Sequence, residues 1–247
     1  MFDPNVILWI TLTFLLAGAV KGIVGSGLPT IALGVLTAVL GLHSAMALML
    51  VPTIVTNLWQ ALIGGHVRAV GLRIWPFLLA SAAAIWIGAE ALTRVKVSWL
   101  AALLGFLLAL YGAFGLLRPP LAIPQSKQMP IGIVAGLLSG VLGGMTGSLG
   151  VPGIPYLQAI GLPRDQLIQA LGMLFAVSSI SLAAALAGQR LLGVDLGLAS
   201  ALATIPALIG MAIGQKLRQL LPEQRFRKIF FASQVVLGGY IVLRAMM

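Results

Sequence analysis

No cysteine occurs in the 247 residues, which removes disulfides, thiolate chemistry and cysteine-based metal sites at once. Charge is almost as scarce. Only 8% of the residues are Asp, Glu, Lys or Arg, and the acidic ones number 5. Soluble domains are about 25% charged, so a water-covered surface is excluded. The 2 histidines have no co-ligands at metal-binding spacing, and HExxH, GxSxG and buried carboxylate pairs are all missing. No enzyme constellation and no cofactor site can be assembled. The net charge of +10 is spread over loop ends and not gathered in a patch, which argues against nucleic acid as a partner.

What is abundant is hydrocarbon: 60% of the residues are hydrophobic and mean hydropathy is +1.09. Apolar runs of about 18 or more residues recur, the length a helix needs to cross roughly 30 Å of lipid. The first twenty residues include AGA at 17–19, yet they carry Asp3 and no basic start, so they read as a membrane helix and not as a cleaved signal. Segments fall at 5–24, 28–41, 44–63, 74–93, 98–117, 131–146, 151–160, 167–188, 195–214 and 229–245. The longest polar connections, 118–130 and 215–228, are too short to fold alone.

Two of these segments, 28–41 and 151–160, are too short to span comfortably, and each follows a glycine-rich break: GIVGSGLP at 22–29 and GGMTGSLGVPGIP at 143–155. The halves match in sequence. AGAVKGIVG (17–25) lines up with AGLLSGVLG (135–143), and GSGLP (25–29) resembles GSLGVP (147–152). The expected fold is therefore an all-α polytopic membrane protein. It has a first transmembrane repeat at 1–117, a connecting loop at 118–130 and a second repeat at 131–247, each repeat a broken-helix hairpin plus three transmembrane helices.

Basic residues test whether the chain reverses at the breaks. If each break lies within one continuous crossing, loop Lys and Arg divide six against eight between the two sides. With reversal, ten (Arg68, Arg73, Arg118, Lys127, Arg164, Lys216, Arg218, Arg225, Arg227 and Lys228) face four (Arg94, Lys96, Arg190 and Arg244). The positive-inside rule prefers reversal, which inverts the two repeats and turns both termini away from the cytoplasm. Inverted repeats with short, Gly/Pro-interrupted segments point to a transporter site near the bilayer midplane.

Broken helices expose backbone groups that lipid cannot satisfy, and each helix restart presents N–H groups with about half a positive charge. Gly25 and Gly27 permit the first turn, Ser26 is placed to cap, and Pro29 fits the first turn of the next helix. Gly147, Ser148, Gly150 and Pro152 repeat that grammar. Lys21 adds a full charge one turn before the first break, with no opposite charge nearby in sequence; the second half has Ser139 at the matching position. Such a charge costs about 2.5–3.5 kcal/mol in lipid, and an anionic substrate would remove much of it. Asn57 and Gln60, one turn apart on a shared face, and Gln158 just past the second break complete the candidate substrate-binding set of Lys21, Gly25, Ser26, Gly27, Asn57, Gln60, Gly147, Ser148, Gly150 and Gln158. Gln169, Ser178, Ser179 and Ser181 also lie in a membrane segment, where serine commonly bonds its own backbone. The ladders Gly18/Gly22 and Gly132/Gly136/Gly140/Gly144 read as close helix packing.

At GIVGSGLPTIAL and again at GVLGGMTGSLGVPGIPYLQAIGLPRDQ, the chain resembles the sulfite exporter TauE/SafE family, also called the toluene sulfonate uptake permeases. The resemblance covers essentially the whole chain. It implies a multi-pass protein of the bacterial cytoplasmic (inner) membrane that moves sulfite, sulfonates, sulfoacetate or related carboxylates. The matching positions are Gly22, Gly25, Ser26, Gly27 and Pro29, and Gly143, Gly144, Gly147, Ser148, Gly150 and Pro152. The first signature has fewer consecutive glycines than is usual, and HSAMALML follows Gly41-Leu42 where small hydroxyl residues are common. The expected partners are a small anionic substrate and the lipid bilayer, and the glycine ladders admit a homo-oligomer. The competing expectations are an uptake permease for small carboxylates, a channel, and a non-transporting membrane assembly subunit whose ladders are contacts between copies.

Overall fold

A computed structural model describes residues 4–117, 122–217 and 223–247. Among them the chain is helical and without strands. In order come α1 (Pro4–Val24), α2 (Leu28–Leu40), α3 (Leu42–Leu62), α4 (Val67–Arg94), α5 (Val97–Leu117), α6 (Gln125–Thr146), α7 (Gly153–Ala159), α8 (Arg164–Gly188), α9 (Val194–Leu217) and α10 (Glu223–Met246). Eight of these are long and apolar enough to cross a membrane; α2, with 13 residues, and α7, with 7, are not. Leu72, Ile87, Trp99, Leu202 and Val236 stand exposed, an outer surface suited to lipid and not to water.

Each of the ten segments in the sequence is one of these helices. The bounds differ most at polar ends: α4 begins at Val67 and not at 74, and α6 at Gln125, inside the stretch read as the connection between the halves. Hydropathy stops at Arg68, Arg73 and Lys127, whereas a helix continues past the hydrocarbon wherever its backbone bonds can form. Arg118 and Arg218 lie outside the described residues.

Two compact units divide the chain, and neither is one half of it. The first holds Met1–Pro52, Lys96–Arg118 and Leu191–Met247, hence α1, α2, the start of α3, α5, α9 and α10. The second holds Thr53–Val95 and Pro119–Arg190, hence the rest of α3 with α4, α6, α7 and α8.

In the first unit α1 and α9 run parallel in close contact. A Cβ on Gly18 would lie 2.1 Å from the Ala207 carbonyl oxygen and one on Gly22 2.3 Å from that of Met211, so no other residue admits this approach. The pair α5 and α10 runs antiparallel, with Gly105 against Gly238 and Gly112 against Phe231. In the second unit α4 and α6 form the other parallel pair. Gly136, Gly140 and Gly144 meet the carbonyls of Phe77, Ser81 and Ile85, while Gly132 faces the Tyr156 hydroxyl. The two parallel pairs are built alike: Pro76 precedes Phe77 and Pro206 precedes Ala207, and each of those carbonyls meets the glycine three residues before Ser139 or Lys21 respectively. The same positions stand aligned in AGAVKGIVG and AGLLSGVLG.

Candidate functional site

The first break closes α1 with Gly25, whose N–H donates to the Lys21 carbonyl at 2.7 Å. Gly25 and Gly27 have φ of 84° and 108°, the left-handed region that a side chain disfavours. Lys21 sits in the last turn of α1 and is only 3% exposed. Ser26 is half-buried between the glycines. It does not cap α2. Gly27 occupies the cap position, its carbonyl accepting the Ile31 N–H at 3.0 Å, and it has no side chain with which to cap. Ser26 stands one residue too early, because the turn needs a second positive φ immediately before Leu28. Pro29 falls in the first turn, as expected.

The second break is a hairpin. Going along α7 the chain returns down α6: Leu149 lies beside Gly143, Gly153 beside Ser139, and Tyr156 beside Gly132. At its base the Tyr156 hydroxyl donates to the Gln128 carbonyl at 3.1 Å and the Ile123 N–H to the Ala159 carbonyl at 2.9 Å. Arg73 of α4 donates to the Ile160 carbonyl at 2.6 Å, setting a cation on the C-terminal end of α7. At its tip Gly147 (φ 76°) ends α6, its N–H on the Gly143 carbonyl at 2.7 Å. Thr146, which sequence reasoning passed over, ties the turn: its hydroxyl donates to the Leu142 carbonyl at 2.7 Å and accepts the Ser148 N–H at 3.1 Å. Its only sequence signal is a hydroxyl residue directly before a helix-ending glycine. Ser139 is 1% exposed, faces Gly153, and its hydroxyl has no hydrogen-bond partner.

Lys21, Gly25, Ser26 and Gly27 thus belong to the first unit, and the other six candidates to the second. Gly147, Ser148 and Gly150 share one buried turn, Gly150 accepting the Ile154 N–H at 2.7 Å. Asn57 is fully buried and donates to Thr53 of its own helix at 2.8 Å. Gln60 donates to the Ile168 carbonyl at 2.7 Å, and Gln169 bridges the Ala61 carbonyl and the His66 N–H, so both fasten the end of α3 to α8. Gln158 is exposed on α7. Ser178 pairs with Ser81 at 3.2 Å, and Ser181 donates to the Ala82 carbonyl. Among the described residues no three His, Asp or Glu gather as metal ligands.

Eight lipid-length helices among the described residues, with apolar side chains exposed on them, define a polytopic α-helical membrane protein. The description "Sulfite exporter TauE/SafE" matches residues 10–241, nearly the full length. The chain belongs to the sulfite exporter TauE/SafE family, a family of membrane transporters. No curated protein and no solved structure matches it.

Proposed function

We propose that this chain is a secondary transporter of small sulfur-containing or organic anions such as sulfite, sulfonates or sulfoacetate, working as an exporter in a bacterial inner membrane. Lys21 and the start of α2 carry the anion contact, and the turn of Gly147, Ser148 and Gly150 is the second half's counterpart. The observation that carries this is the burial of a lysine in the last turn of α1, directly before the N-terminus of α2, whose cap residue is a glycine. A cation and a helix N-terminus in one break suit an oxyanion, since both favour negative charge. The family's name supplies the sulfur oxyanion.

Helix directions within each unit support inverted repeats. Were both breaks kinks in continuous spans, α5 and α10 would cross the membrane in the same direction. A chain that reverses at both breaks gives the parallel pairs α1/α9 and α4/α6 and the antiparallel pair α5/α10 together. Rocking of such repeats is the expected mode of alternating access. The assembly-subunit alternative loses its main support, because Gly18, Gly22, Gly136, Gly140 and Gly144 are spent on packing inside each unit.

The test is flux of labelled sulfite into proteoliposomes. Lys21→Ala should lower flux about 10- to 100-fold, the loss of one hydrogen bond to a charged group, with Lys21→Arg retaining part of it. Flux equal to the parent protein would remove Lys21 from the substrate path; no flux of any tested anion by the parent would remove the transport reading.

A further inference from the structure

Pro52 lies in the middle of α3, a membrane span, where it has no N–H to offer the Leu48 carbonyl one turn before it. A carbonyl left open there must find another donor, because lipid supplies none. It finds one in α9: the Ser200 hydroxyl donates to the Leu48 carbonyl at 2.8 Å and accepts the Val51 N–H at 3.1 Å. One side chain therefore takes both sides of the interrupted turn. Ser200 is 1% exposed, and no other role is visible for its hydroxyl. The division between the two compact units falls between Pro52 and Thr53, inside this same helix. By order along the chain α8 is the counterpart of α3, and it contains no proline. The interruption is a device of one half only.

We propose that α3 is a hinge of the transport cycle, flexing at the Leu48–Pro52 turn, with Ser200 as the positioning residue that keeps the turn hydrogen-bonded. A proline removes the backbone bond that would make α3 stiff at this turn; a hydroxyl, held by one freely rotating bond, follows the carbonyl and the amide as their separation changes. Hinges of domain motion are a few residues of this kind, away from the ligand. The proposal rests on the transport reading for its turnover arm alone.

The experiment is a double-mutant cycle of Pro52→Ala and Ser200→Ala in the full chain, read three ways. Pro52→Ala restores the N–H that Ser200 replaces. Hydrogen exchange of the 42–62 segment should therefore slow by about tenfold or more in Pro52→Ala, as an open backbone position becomes a closed one. Ser200→Ala alone should lower Tm by roughly 2–4 °C, the effect of one hydrogen bond in a chain of this size, and by less than half as much in the Pro52→Ala background. In proteoliposomes supplied with sulfite, both single variants should lower maximal flux about fivefold or more while the half-saturating concentration moves less than twofold, because a hinge sets turnover and not affinity. Equal Tm losses in both backgrounds would overturn the role of Ser200. Unchanged exchange in Pro52→Ala would overturn the hinge, as would parental flux in that variant. Should the parent carry no anion at all, the transport reading fails on its own, and exchange and Tm still decide whether the turn flexes and whether Ser200 holds it.

Discussion

Thr146 shows how much one hydroxyl can hold. It sits at 0% exposure, donates to Leu142 and accepts from Ser148, so the tip of the α6/α7 hairpin depends on it. Thr146→Val keeps the shape and strands the Ser148 N–H; the expected cost is about 1–3 kcal/mol, measured as a lower unfolding temperature in detergent, with Thr146→Ser close to the parent. Lys21 was legible in the sequence because a lone cation among glycines is expensive in lipid, and its burial follows from the same expense. Ser26 was legible as a break residue but not as a bystander to the cap, since which of two glycines takes the cap position depends on φ values that composition does not set. Gln60 and Gln169 look alike in sequence to a substrate-facing amide; only their bonds across to neighbouring helices identify them as fasteners.

At the scale of elements, the ten helices could be read directly, because apolar runs of fixed length and Gly/Pro breaks are local properties. Their partners could not. The ladder Gly136/Gly140/Gly144 announces close packing, yet nothing in it names α4 as the neighbour or parallel as the direction. That knowledge yields a sharp contrast between glycines. Gly140→Ala would set a Cβ 2.3 Å from the Ser81 carbonyl oxygen, a backbone atom that cannot swing away, and should cost about 1–3 kcal/mol or abolish folding. Gly197→Ala in α9 meets nothing within 4 Å and should be neutral or stabilising by up to about 1 kcal/mol, since alanine favours the helix. Thermal unfolding of the two variants side by side checks both; equal losses would mean that the glycine contacts with α4 are not what closes the second unit.

For the whole molecule, the halves of the sequence and the compact units are different partitions. The first unit draws α1, α2 and α5 from one half and α9 and α10 from the other; the second takes α4 from the first half and α6, α7 and α8 from the second. The repeated motifs were visible in the sequence, while this exchange of helices was not, because it is settled by which glycine face meets which carbonyl far along the chain. It predicts that a chain cut between residues 117 and 122 gives two fragments of which neither is stable alone, and which recover a folded, protease-resistant protein when made together. A first fragment that folds by itself would contradict the exchange.

The same interleaving imposes an order of events on the ribosome. Everything in the second unit has been made once residue 190 is out, whereas the first unit lacks α9 until residue 217 has been added. At about 5–20 residues per second, α1 waits roughly 10–35 s for the helix its glycine face is shaped to meet. Through that interval Gly18, Gly22 and the buried lysine beside them must be sheltered by lipid or by the insertion machinery. The later-coded hairpin closes first, and α1, made before it, still waits for its partner.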